Sequence, residues 1–368
     1  MTTANPDTTV KLILNNQEIA GWTDVRITRG VERLPSDFEL GLTELYPSEA
    51  QAVVVTPGDE CIITIGDYLV LTGYVDKYIP SYGADGHSIR ITGRGKCQDL
   101  VDCAAVWDTS QISAATAFVI ASNLAAEYNI KVTPPEASGI TVPQFNIMLG
   151  ETAFEIIDRV CKYSGLLAYD GVDGNLILSE VGTEEHSSGL FEGKNVTAAS
   201  VEYSMDQRYQ TYIGWLNAIS RIGDSFDAPN AYVVASDTTV LRNRKKFVIA
   251  EPVQGYKDLL SKRVVWEMNR RNGRSKVARI RADSWLDSSS ALWTPNKLVA
   301  VFLPTLKLAD TNGQPLKWTI GEVSYVTNEE GTSAELVLMD PAAFSVQPAQ
   351  VNYGFIDEHV TAQPLAVN

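Results

Sequence analysis

Histidine and cysteine are scarce in this sequence, at three and four residues in 368. The cysteines, Cys61, Cys97, Cys103 and Cys161, form no CxxC pair, and His87, His186 and His359 are far apart. Structural zinc sites need such ligands clustered at short spacing. Reduced thiols packed as small hydrophobes are expected instead, with no metal and no cofactor. Long apolar runs are missing too. The most apolar helical stretch, Ala114 to Ala126, is too short to span a bilayer and carries Ser122 and Asn123. The opening MTTANPDTTV has neither a basic nor an apolar region, so no signal peptide is expected. Positive charge is in deficit: 30 Lys and Arg against 45 Asp and Glu give a net charge of −15. Nucleic-acid binding through the overall field is excluded, because phosphate binding needs a positive surface.

Catalytic signatures are equally thin. Gly93-Arg94-Gly95-Lys96 lacks the spacing of a phosphate loop, and Cys97 stands where Ser or Thr must bind magnesium. Asp170 to Asn175 resembles the start of a calcium loop, but Val181 occupies the position of the bidentate acid, so a hairpin turn explains it. Glu184-Glu185-His186 lies in a polar stretch without a second histidine at helical spacing. There is no GxSxG elbow. A glycosidase-type carboxylate pair is not excluded by composition, yet nothing points to one. No catalytic, cofactor or metal residues are assigned, and the chain is not expected to be an enzyme.

What is present is strand-rich. The length suits about two to four domains. Val10–Leu14, Asp24–Thr28, Phe38–Leu42, Glu60–Ile65, Tyr68–Lys77 and His87–Gly93 read as strands between turn residues. Gly66-Asp67 marks a hairpin, since glycine adopts positive φ at little cost. A helix is expected from a Thr109 or Ser110 cap to about Tyr128, and a second over Thr152–Ser164 ended by Gly165. Leu166–Tyr169 and Asn175–Ser179 make a hairpin. Strands return at Val201–Met205, Tyr209–Leu216, Tyr232–Ala235, Lys276–Ala282, Lys297–Phe302, Trp318–Thr327 and Ala334–Met339, with a helix over Asp258–Asn272.

The fold class expected is α+β, mainly β: two similar small antiparallel barrels around an α+β insert. The divisions expected are 1–97, 98–195, 196–345 and an extended tail at 346–368. A short internal repeat supports the two-barrel reading. Thr56-Pro57-Gly58-Asp59 opens a strand, a second strand with Gly73, a turn and a third strand. Thr294-Pro295-Asn296-Lys297 opens the same order, with Gly321 in place of Gly73. Any two antiparallel meanders share part of such an order.

Charge supplies the one anomaly. Residues 242–281 hold thirteen basic side chains against Glu251, Asp258 and Glu267. Such a segment is a solvated or internally paired face, a complementary contact with another subunit or partner, or a nucleic-acid patch. Arg270, Arg271 and Arg274, at the end of the expected helix, are the candidate contact residues.

One further pattern spans most of the chain. Gly73-Tyr74-Val75-Asp76-Lys77-Tyr78, then Ser88 to Thr92, Gly93-Arg94-Gly95, and Asp99-Leu100-Val101-Asp102 resemble the hub proteins of Mu-like contractile-tailed phages. Trp293-Thr294-Pro295-Asn296 and the final Glu322–Met339 hairpin fit the same family. Its relatives are the hub of T4-like phages and the N-terminal part of type VI secretion spike proteins. The resemblance implies a structural baseplate hub: a homotrimeric ring adapting a sixfold tail tube to a threefold central spike, with DNA passing through without specific binding. It further implies contacts with a separate spike protein, the tail tube and other baseplate proteins, and a place in the virion tail after assembly in the host bacterial cytoplasm. The competing readings are a carbohydrate-active, cell-wall-degrading enzyme and a β-rich adhesin or binding module.

Overall fold

A computed structural model describes residues 8–43, 55–83, 86–107, 111–136, 141–216, 231–250 and 256–344. Strands dominate its first region: β1 (Val10–Leu14), β2 (Gln17–Ile19), β3 (Asp24–Gly30), β4 (Arg33–Thr43), β5 (Glu60–Ile65), β6 (Tyr68–Gly83) and β7 (Gly86–Gly95). Alternation sets their faces: Val10, Leu12 and Leu14 of β1 are buried while Lys11 and Ile13 are half-buried. Asn15 and Asn16 make the β1–β2 turn at φ 47° and 64°, a left-handed conformation that asparagine tolerates.

The middle region holds α1 (Gln98–Asp102), β8 (Gln111–Thr116), α2 (Ala117–Ala126), β9 (Val132–Thr133), β10 (Thr141–Asn146), α3 (Ala153–Ser164), β11 (Leu167–Asp170) and β12 (Leu176–Ser179). Helix α3 follows from its sequence. Thr152 and Glu155 form a capping box, and Gly165 ends the helix at φ 73°. Ile156, Ile157, Val160 and Cys161 then bury against Ile120 and Leu124 of α2 in a core of their own. The helix expected from Thr109 or Ser110 is shorter than its spacing suggested. Those two residues lie outside the described ones, and Gln111–Thr116 is a strand paired with β10. Helix α2 starts after Thr116, whose hydroxyl accepts the Val119 N–H at 3.3 Å. Asp170 pins this region to β4: its buried carboxylate accepts the Ser36 N–H at 2.8 Å and the Ser36 hydroxyl at 2.7 Å.

The last region contains β13 (Leu190–Phe191), β14 (Val196–Tyr203), β15 (Thr211–Leu216), β16 (Ala231–Ser236), β17 (Lys245–Ala250), α4 (Tyr256–Gly273), β18 (Lys276–Ala282), β19 (Leu298–Phe302), β20 (Leu316–Asn328) and β21 (Gly331–Met339). Strands β16, β15 and β17 form a small sheet under α4, with Tyr212, Val248, Leu260 and Val264 buried between. Gly214 permits this approach, since a Cβ there would lie 2.3 Å from the Val264 side chain. Strand β17 was not expected; Lys245 and Lys246 disguise a strand that pairs in parallel with β15. The expected tail at 346–368 lies outside the described residues.

The molecule is mainly β, with four α-helices among the described residues. Among the described residues no closed barrel is found, and the two expected barrels are not seen as separate sheets. The large strands form one 13-stranded sheet in the order β14-β18-β21-β20-β3-β4-β7-β6-β5-β1-β2, with β19 on β20 and β13 on β19. The join is β3 with β20, from Val25↔Thr327 to Gly30↔Glu322. One apolar core therefore takes Leu12, Leu40 and Ile63 from the first half and Trp285, Val301 and Leu336 from the second. Among the described strands no pairing closes either half into a ring, because β3 gives its outer edge to the other half.

The two halves nevertheless repeat one plan. The first runs β1-β5-β6-β7-β4-β3 across the sheet and the second β13-β19-β20-β21-β18-β14, with equivalent strands in the same chain order. They differ in that β1 is antiparallel to β5 whereas β13 is parallel to β19. The last pairs of the β6–β7 and β20–β21 hairpins are Gly83↔Gly86 and Asn328↔Gly331. Each hairpin has its bulge at the same distance from that pair, between Val75 and Lys77 and between Ile320 and Glu322. The Gly58 N–H donates to the Val75 carbonyl at 2.7 Å, and the Asn296 N–H to the Ile320 carbonyl at 2.9 Å. Gly58 and Asn296 share positive φ, 97° and 65°.

Candidate assembly surface

The candidate ligands and nucleophiles are scattered through the fold. Cys97 is buried, with its sulfur 3.6 Å from the Gly174 carbonyl. Burial pushes the Cys61 and Cys161 thiols up to about 12, so neither forms a thiolate at neutral pH. Asp170 to Asn175 closes the β11–β12 hairpin, with Gly174 at φ 76°. His186 is a buttress. Its Nε2 accepts the Thr294 N–H at 3.2 Å, which leaves the proton on Nδ1, 3.2 Å from the Asp287 carboxylate. Burial lowers its pKa. Glu184 and Glu185 pair with Lys297 and Lys317 rather than with each other. Among the described residues no three His, Cys, Asp or Glu side chains gather into a group able to hold a cation.

The three candidate arginines come together at the C-terminal end of α4, where cations oppose the helix dipole. Their partners belong to the same chain. Glu32, in the β3–β4 turn, accepts Arg270 at 2.7 Å and takes Arg274 on both carboxylate oxygens. Arg271 binds Glu267 at 2.6 Å and the Gln207 carbonyl at 3.2 Å. Arg270 also lies over the Trp266 ring at 5.4 Å. Burial and the neighbouring Arg274 lower the Arg270 pKa. Other basic residues of the segment are engaged likewise: Arg244 with the Met205 and Asp206 carbonyls, Arg279 with Glu202, Arg281 with Glu330.

Opposite the core, the middle of the large sheet presents a face rich in charged side chains. Two shallow hollows on it share Arg26: one takes in Asp37, Glu39, Lys77 and Arg94, the other Ser200, Arg279, Arg281, Glu322 and Glu335. Strand alternation builds this face. Phe38 and Leu40 of β4 turn inward, while Asp37 and Glu39 stay half-exposed. Both signs are interspersed and matched, with Arg90 on Glu39 at 3.1 Å, Arg94 on Asp76 at 2.6 Å and Arg33 on Glu322 at 3.4 Å. Such a face is wettable and offers a polyanion no uniform positive track. None of it was identified from sequence; the alternating polar positions were legible, but not that they align across two distant halves.

Three family models match separate stretches of the chain, in chain order. Residues 9–95 match the N-terminal domain of the Mu phage baseplate assembly protein GpP-like family, 97–180 the second domain of the baseplate hub protein gp44-like family, and 258–347 the fourth domain of the Mu phage baseplate assembly protein GpP. The chain is also 28% identical over 353 residues to the baseplate hub protein gp44 of Escherichia phage Mu, covering 93% of this chain and 90% of that protein. The chain is thus similar to Mu-like baseplate hub proteins along most of its length. Among solved structures it is similar to a 43 kDa tail protein of prophage MuSo2 from Shewanella oneidensis, with a TM-score of 0.80, 26% identity and coverage of 92% and 99% of the two chains. A tail protein from Neisseria meningitidis shares the fold at a TM-score of 0.75 and 18% identity, covering 93% and 98%. An E. coli type VI secretion component shares it more distantly, at 0.57 and 11%, covering 93% and 80%.

Proposed function

We propose that this chain is a non-enzymatic structural hub of a phage tail baseplate, which closes as a homotrimeric ring between the sixfold tail tube and the threefold central spike. The observation that carries the reading is the repeated six-strand plan. A trimer of such chains offers three identical protomers to the spike and six near-equivalent strand units to the tube, so one ring satisfies both symmetries. The division proposed is four-part, at 97, 195 and 345, with the two strand units flanking the insert; the second unit's first strand, β13, falls just before 195. The mixed-charge sheet face suits the wall of the channel through which DNA leaves, since a wall of balanced charge does not retain the polymer. The partners proposed are the spike protein, the tail tube and neighbouring baseplate proteins, in the virion after assembly in the host cytoplasm.

Size-exclusion chromatography with light scattering, followed by negative-stain imaging, tests the ring. A trimer with a central hole is expected. A strictly monomeric mass at micromolar concentration and low salt overturns it. Turnover of peptidoglycan that one carboxylate-to-amide change abolishes would return the chain to the enzyme reading.

A further inference from the structure

The repeat leaves two strand edges unequal to their counterparts. In the second unit, the far half of β20 lies between β21 and β3, and the ladder buries it: Val323 and Tyr325 are 0% exposed and Ser324 is 3% exposed. The equivalent half of β6 has β7 on one side and, among the described residues, no strand on the other. There Ile79 is 41% exposed and Tyr82 91% exposed, although both lie in a regular strand. The strand that fills the gap on β20 is β3. Its equivalent in the second unit is β14, which pairs with β18 alone among the described strands. Among the described residues, one unit thus has an unpaired stretch of β6 edge and the other an unpaired edge of β14.

We propose that β14 of one protomer adds antiparallel to the far half of β6 of the next, repeating between chains the β3–β20 pairing made within each. This rests on the ring reading above and specifies its seam. The two edges do not pair with each other within one chain. Six strands separate them, so they are on the order of 30 Å apart along the sheet at about 4.8 Å per strand. Addition is therefore head to tail, the arrangement that closes rings.

The register transfers strand by strand. Arg94 pairs with Asp37 in the first unit and Met339 with Val277 in the second, which aligns β4 with β18. Asp37 pairs with Thr28, and Val277 with Glu202, so Thr28 corresponds to Glu202. Because Thr28 faces Ser324 and Arg26 faces Val326, the seam sets Glu202 against Ile79 and Ser200 against Ser81. Ala199 then meets Tyr82 and Val201 meets Pro80. The chemistry agrees on both faces. Ala199 and Val201 already pack on the core, and the seam extends that apolar layer over Pro80 and Tyr82. On the other face Glu202 comes within diagonal reach of Lys77, an opposite charge. Pro80 has no N–H to give, a device that discourages indiscriminate pairing of an exposed edge.

The test is the full chain carrying Ser81→Cys and Ser200→Cys, both exposed serines replaced by a side chain of similar size. Mild oxidation should give covalent dimers and trimers on non-reducing gels, absent from either single variant and from the displaced pair Ser81→Cys with Ala198→Cys. Tyr82→Asp is the second variant. That side chain is exposed in the single protomer, so the fold is kept while trimer formation weakens on the order of tenfold from three altered seams. A trimer by light scattering that forms no in-register disulfide, or that Tyr82→Asp leaves unchanged, overturns the seam and spares the ring. A monomer by light scattering with no disulfide overturns both.

Discussion

Reversal of Arg270 and Arg271 to glutamate separates two roles for the basic end of α4. Within the chain, Arg270 shares Glu32 with Arg274, and Arg271 pairs with Glu267 one helical turn away. The Arg270, Glu32 and Arg274 side chains are 22%, 34% and 37% exposed, so solvent screens their attraction. Partly exposed pairs contribute about 0.2–1 kcal/mol each, and the i,i+4 pair about 0.3–0.5 kcal/mol. Losing two pairs and placing like charges beside Glu32 and Glu267 should then cost about 1–2.5 kcal/mol of fold stability. Glu32→Ala removes the Arg270 and Arg274 contacts alone and should cost about 0.4–2 kcal/mol. Urea unfolding followed by tryptophan fluorescence reads both, with Trp266 against Arg270 as a local reporter. If the arginines also hold an acidic neighbour, the double reversal weakens trimer or hub–spike association in light scattering, and added salt weakens the wild type in the same direction. Glu32→Ala should not weaken association, because it frees two guanidinium groups. Association unchanged by the reversal across a salt titration refutes the intersubunit role and leaves an internal clamp. A urea midpoint unchanged in Glu32→Ala refutes the clamp.

Gly73→Ala should destabilise the protein by about 3 kcal/mol or prevent folding, because its Cβ would lie 1.9 Å from the Arg94 carbonyl oxygen; a urea midpoint close to wild type refutes the close approach. Asp170 offers a pH test. Burial outweighs its bonds from Ser36 and raises its pKa, so the folded state holds this proton more tightly than the unfolded chain. That contribution is full below the unfolded carboxylate value of about 4 and is lost as pH rises through the folded value. Asp170→Asn, which has no proton to titrate, should flatten the fall in stability across that window, and an unchanged slope refutes the assignment.

Local rules reached much of this molecule from sequence. Thr152, Glu155 and Gly165 delimit α3 because caps and left-handed glycines act on the residues beside them. Lys276–Ala282 and Glu60–Ile65 are strands at the expected bounds, since alternating side chains suffice to mark a half-buried strand. The Thr-Pro turns at Thr56 and Thr294 betrayed the repeat for the same reason: each fixes one backbone geometry locally. Pairing between distant strands is another matter. Gln111–Thr116 read as helix because Ile112 and Ala115 fit helical spacing, and only β10, some thirty residues on, made it a strand. The arginines at the end of α4 were visible as charge, but Glu32, more than two hundred residues away in the chain, was not visible as their partner. Most of all, β3 could have closed its own half. It pairs with β20 instead, joins the halves into one sheet, and leaves β14 and the end of β6 each paired on one edge alone among the described strands. A strand's own sequence sets which faces are apolar, whereas its edges carry only backbone groups that any strand can satisfy, so the choice of neighbour belongs to the tertiary structure.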